Sequence, residues 1–169
     1  MSHLTTVCGT ALLLIGFVAP LHGQEAEGKE EERLNAVEVF LGGVTEMDDW
    51  ATGFGAGLGY LRRLSSSWGV GVAGELSTTD VERAWLLNIP IYFYPAGGLG
   101  LKAGPVIEGS KEAPEDGEEG ETKTEFGVRF GAAWELEVGE RFTMSPEVNL
   151  DVVDGSTTWV YGLSFGYLF

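Results

Sequence analysis

Residues 158–169 read TWVYGLSFGYLF, and the spacing of the aromatic residues in this stretch decides the fold. Taken alternately, Trp159, Tyr161, Leu163, Phe165, Tyr167 and Phe169 fall on one face, with Val160, Gly162, Ser164, Gly166 and Leu168 on the other. A helix would scatter those aromatic side chains round its circumference, whereas a strand gathers them on one side. The segment is therefore predicted to be a β-strand with one broad apolar face and one face of mostly small residues.

The same split recurs upstream. Residues 141–152 set Phe142, Met144, Pro146, Val148, Leu150 and Val152 against Arg141, Thr143, Ser145, Glu147, Asn149 and Asp151. Residues 125–136 set Phe126, Val128, Phe130, Ala132, Trp134 and Leu136 against Glu125, Gly127, Arg129, Gly131, Ala133 and Glu135. In residues 53–62, Phe54, Ala56, Leu58 and Tyr60 alternate with glycines. Further strands are predicted at 36–45, 68–77, 84–94 and 99–108, which makes eight. Pro90, Pro105 and Pro146 fall inside these segments and cannot donate to a ladder, so they are expected at bulges or strand ends. Three connections are tight, at 64–67, 95–98 and 137–140. The other four, around 46–52, 78–83, 109–123 and 153–157, read as mostly longer and more polar. Short turns at one end and longer loops at the other are the asymmetry of a transmembrane barrel. With an even strand number, both chain ends lie at the short-turn end.

Alternation alone leaves the choice of outer face open. In a soluble, lipocalin-like barrel the apolar face would fill the interior. Here the polar face is rich in glycine and carries isolated charges: Glu75, Lys102, Glu108, Arg129, Glu135, Arg141 and Glu147. Small residues interleaved with charges that can pair suit the narrow lumen of an eight-stranded barrel. The aromatic residues point the same way. Phe54, Trp85, Phe126 and Trp159 fall near the long-loop end; Tyr60, Trp68, Phe93, Trp134, Phe142, Tyr167 and Phe169 fall near the short-turn end. Two aromatic girdles round an aliphatic band match the two interfaces of a bilayer. Ten residues at about 3.3 Å each, tilted about 40°, span roughly 25 Å.

The N-terminal region reads differently. Leu12–Val18 (LLLIGFV) is too short to cross a bilayer as a helix and fits the apolar core of a secretory signal, residues 1–23. This segment lacks the usual Lys or Arg before the apolar run. Residues 24–34 read as an acidic leader, and residues 35–169 as the barrel. Cys8, His3 and His22 all lie within the signal segment and would leave with it. The net charge of −16 belongs to the remainder, concentrated in Glu25–Arg33 and Lys111–Lys123. Such acidity argues against nucleic acid as a partner.

The last residues, Tyr161-Gly-Leu-Ser-Phe-Gly-Tyr-Leu-Phe169, resemble the terminal-strand motif of outer-membrane β-barrel proteins, with an aromatic last residue and another two before it. The usual glycine at the position of Ser164 is replaced. The pattern over about residues 35–169 is similar to the small eight-stranded class, the OmpA membrane domain and OmpX-like proteins. The resemblance implies an all-β, closed, antiparallel up-and-down barrel in the outer membrane of a Gram-negative cell. It also implies outer-membrane lipids as surroundings and the barrel-insertion machinery as a partner that reads the strand ending at Phe169.

Some barrels of this size modify lipids with a histidine beside a serine or an acid. Without histidine after residue 23, imidazole-based catalysis and serine activation have no base. The carboxylates Glu75, Glu108, Glu135 and Glu147 read as ion-pair partners of Arg129, Arg141 and Lys102. The acidic run 112–121 lacks the spacing of a calcium loop and reads as solvated. The expectation is a non-enzymatic barrel with a side-chain-filled lumen and a structural or surface-interaction role, without cofactor, metal or catalytic residues. A narrow, porin-like pore is the alternative reading, and a lipid-modifying enzyme the disfavoured third.

Overall fold

The computed structural model describes residues 34–80, 82–112 and 122–169; the signal segment, most of the acidic leader and the acidic run 113–121 lie outside them. The strands are β1 (Asn35–Glu46), β2 (Thr52–Arg63), β3 (Trp68–Thr79), β4 (Glu82–Asn88), β5 (Ile91–Ala96), β6 (Leu99–Glu112), β7 (Thr122–Trp134), β8 (Leu136–Val138), β9 (Phe142–Val153) and β10 (Ser156–Leu168). β4 and β5 are one stave interrupted at Ile89-Pro90, and β7 and β8 are one stave interrupted at Glu135. The described residues thus form eight antiparallel staves, in the order expected from the sequence.

Each stave pairs with its neighbour in the chain, and the first pairs with the last. β1 meets β10 from Ala36↔Leu168 to Glu46↔Thr158, which closes the sheet. Hydrogen bonds between Asn35 and Phe169 lock the ends of this seam. Closure leaves the wall without an exposed sheet edge.

The faces divide as the alternation requires. Leu58, Leu76 and Phe126 are 62%, 68% and 72% exposed on the outer surface, and all the aromatic residues assigned to the two girdles are exposed too. Buried positions hold Arg129, Asn149, Asp151, Thr143, Ser145 and Ser164, with small apolar clusters around Phe40, Val44 and Val160 and around Leu86, Val106 and Val153. The polar face is the inside of the barrel.

Two expectations are corrected. Pro105 and Pro146 lie within β6 and β9 and not at bulges or ends. Pro105 stays in register with Val128, and Pro146 with Leu163. A proline removes only its own donor: the Pro105 carbonyl still accepts from Ile89 N–H at 3.2 Å, and the Pro90 carbonyl from Gly71 N–H at 2.9 Å. Pro90 does separate two assigned strands, β4 and β5. The register shift among these strands lies elsewhere, between Phe93 and Ala96. The second correction concerns the loops. The connection placed at 153–157 is a two-residue turn, Asp154-Gly155, with φ of +47° and +92°. Both central residues of a type I′ hairpin turn need positive φ, which Asp-Gly supplies. The connection placed at 78–83 is likewise only residues 80–81, between β3 and β4, so asymmetry of loop length rests on residues 47–51 and 113–121.

Closure depends on glycine at one place. Gly42 and Gly162 face each other across the seam, beneath the ring of Phe40. A Cβ on Gly162 would lie 2.3 Å from the Leu41 carbonyl oxygen and 2.6 Å from Gly42 Cα. Backbone on both sides cannot retreat without parting the strands. Gly162→Val is expected to destabilise the barrel by about 1–3 kcal/mol, read as earlier loss of the fast-migrating band when unboiled protein is heated in SDS.

Candidate functional site: the barrel lumen

Side chains from the inward positions cross the lumen at three levels. At the first, Arg129 on β7 donates from Nε to Asp151 Oδ1 at 2.5 Å and from Nη2 to Asp151 Oδ2 at 2.7 Å, a two-pronged pair with the adjacent strand. Its Nη1 reaches Glu75 on β3, on another part of the wall. One guanidinium thus ties two carboxylates together. Its planar fork supplies the separate donors that a lysine ammonium could not arrange in this way.

At the second level, Lys102 Nζ on β6 donates to Glu147 Oε1 on β9 at 3.0 Å. The stave between them contributes Gly131, which pairs with both Lys102 and Asn149. A Cβ there would meet Asn149 Oδ1 at 2.1 Å and Lys102 Cε at 2.9 Å. The glycine is what lets the lysine stem pass over. Glu147 also accepts from Asn149 Nδ2 and Ser164 Oγ, each at 3.0 Å.

At the third level, near the short-turn end, Arg63 Nη2 on β2 donates to Glu135 Oε1 at 2.5 Å. Its guanidinium carbon lies 4.3 Å from the centre of the Tyr94 ring, an attraction between a cation and a π-face. A cavity of about 20 Å³ lies between the first two levels, and one of about 30 Å³ lies beside the Arg129 level toward the long-loop end, each large enough for roughly one water. Glu38, Asn88 and Tyr92 line the first; Glu75, Glu108, Arg129 and Asp151 line the second.

The pairing differs in detail from the expected one. Glu75 and Glu147 take Arg129 and Lys102 as expected. Glu135 pairs with Arg63, which the sequence reading did not place in the lumen, and Asp151 supplies a partner it did not single out. Arg141 is outside the lumen altogether: it is exposed, and its Nη1 donates to Tyr167 Oη at 3.1 Å. It precedes the first residue of β9, so the inward–outward alternation does not govern it. Glu108 lines the second cavity and has no ion pair among the described residues, and Glu38 is a lumen carboxylate that the charge pattern did not flag. The signal that could have found Arg63 and Asp151 is parity: both occupy inward positions of their strands. Among the described residues, no group of three or more His, Cys, Asp or Glu is arranged to hold a metal ion.

The same architecture occurs in solved structures. The N-terminal β-barrel domain of Pseudomonas aeruginosa OprF is 17% identical, covers 80% of this chain and 98% of its own, and superposes with a TM-score of 0.61. Neisserial surface protein A is 10% identical over 80% of this chain and 96% of its own, with a TM-score of 0.58. Ail of Yersinia pestis is 17% identical over 80% of this chain and 97% of its own, with a TM-score of 0.53. No protein-family model matches the chain, and no curated protein sequence matches it. At these identities the likeness establishes the fold.

The crossbar at Arg129 can be tested directly. Arg129→Met leaves Glu75 and Asp151 in the lumen without their shared cation, and a loss of about 3–5 kcal/mol is expected in urea unfolding of the refolded protein. Adding Glu75→Gln and Asp151→Asn to Arg129→Met should recover most of that loss. Equal stability of Arg129→Met and wild type would show that the pairing contributes nothing.

Proposed function

With the fold established as that of the small eight-stranded outer-membrane β-barrels, we propose that this chain is an outer-membrane protein without enzymatic activity, acting as a structural or surface-interacting barrel with a sealed lumen. The observation that carries this reading is the three-level set of ion pairs across the lumen among the described residues. A hydrated ion moving along the barrel axis would have to part each of these paired charges in turn. This weighs against the narrow-pore alternative. The absence of histidine after residue 22 weighs against the lipid-modifying enzyme.

The apolar outer face and its two aromatic girdles support a position in the membrane. The terminal aromatic pattern ending at Phe169 supports insertion through the barrel-insertion machinery. On the long-loop side the distinctive feature of the sequence is the acidic run between Lys111 and Lys123. Ail of Yersinia pestis was solved with a heparin analogue, sucrose octasulfate. A polyanion of that kind would be repelled by the acidic run here, so a surface partner of this chain should present cationic groups.

Planar-bilayer recording of the refolded full chain tests the sealed lumen. No reproducible single-channel steps are expected, and regular steps would refute it. The same preparation should fractionate with membranes and migrate differently in SDS before and after boiling. Absence of both would favour a soluble barrel.

A further inference from the structure

We propose that the outer wall formed by β7, β8, β9 and β10 is a binding site for one glycerophospholipid, with its phosphodiester on Arg141 and an acyl chain in the trough beside Pro146. The proposal rests on the membrane reading above and adds a specific ligand site to it.

The trough lies on the apolar outer face. It measures about 570 Å³ and is lined by Ala132, Trp134, Pro146, Val148, Tyr161 and Leu163, among others. Its shape follows from the register. Pro146 pairs with Leu163, and Val148 pairs with both Ala132 and Tyr161. A small residue, Ala132, and the compact ring of Pro146 thus form a floor between the bulky side chains of Trp134 and Tyr161.

Below the trough, successive outward rows lead to the short-turn rim. Met144 pairs with Leu136 and Phe165; Phe142 pairs with Val138 and Tyr167. Arg141 stands at the foot of the path. Its guanidinium is exposed and held by the Tyr167 hydroxyl, while the Phe142 and Tyr167 rings lie 5.4 Å apart beside it. The neighbouring Glu140 carboxylate acts on the same charge, and the bond to one hydroxyl still leaves guanidinium donors to reach phosphate oxygens.

The spacing fits one amphiphile. Arg141 and Pro146 are five residues apart, about 17 Å along the strand and roughly 13 Å along the membrane normal at a tilt of about 40°. That is close to half of a hydrocarbon core of about 30 Å. A lipid with its headgroup at the rim would therefore bring its chain to the level of the trough. A fixed cation and a concave apolar seat, on the same strands and at that separation, match the two ends of a phospholipid.

Native mass spectrometry of the detergent-purified full chain with added phosphatidylethanolamine tests the site. One retained lipid per barrel is expected. Arg141→Gln should lower retention about fivefold, the upper range for an exposed ion pair. Ala132→Trp, which fills the trough from outside, should lower retention by a similar factor, while Arg62→Gln on β2 should leave it unchanged. Phosphatidylglycerol should show the same dependence on Arg141, and a diacylglycerol without phosphate should be retained about fivefold less, whether or not Arg141 is present. Absence of a one-to-one adduct, equal loss in Arg62→Gln, or undiminished retention of the phosphate-free lipid would each overturn the proposal. Variants are compared only where heat-modifiable migration shows a folded barrel. A wild-type barrel that inserts into membranes but keeps no lipid would overturn this site alone, whereas failure to enter membranes at all would overturn the parent reading.

Discussion

In a wall that faces hydrocarbon, every backbone N–H and C=O must find its partner within the protein, because an unpaired group there costs several kcal/mol. The rest of this structure follows from that constraint. An open sheet would leave two edges unsatisfied, so β1 must meet β10, and it does so along nearly its full length. Closing eight staves fixes the diameter, and the diameter fixes what the interior can hold.

The interior is filled by two kinds of position that need each other. Glycines such as Gly131 and Gly162 create room, and long charged side chains or the Phe40 ring occupy it. Buried ion pairs are weak contributors to net stability, because desolvation offsets most of the attraction. Their value here lies in geometry. Arg129 joins β7 to β3 and β9, Lys102 joins β6 to β9, and Arg63 joins β2 to the stave containing Glu135. A set of aliphatic side chains could fill the same volume. It would leave the Glu75, Glu147 and Asp151 carboxylates without their cations, a far larger penalty.

The prolines mark how much a closed wall tolerates. Each removes one donor: at Pro105 and Pro146 the strand continues in register with a neighbour, and at Pro95 in β5 the register shifts. A proline in a strand is therefore a local deletion of one hydrogen bond, and it need not end the strand. At Ile89-Pro90 the facing strand carries Pro105, so two donors are lost together and the stave is interrupted.

Strand number and strand placement were legible in the sequence, because period-two alternation is a property of the backbone and survives any packing. The outward direction of the apolar face was legible from other signals, the glycines and charges of the polar face and the two groups of aromatic residues. Which charges meet was not: Glu135 found Arg63, some seventy residues away, and Arg141 turned to the outer surface at the end of its strand. Parity gives the face of a residue, but it gives neither its height in a tilted strand nor the stave opposite. Those depend on the stagger of the closed sheet, which is set by all eight staves at once. The turn at Asp154-Gly155 is a local signal that the sequence carries, but the trough beside Pro146 arises from register between strands, a quantity that exists only once the sheet has formed.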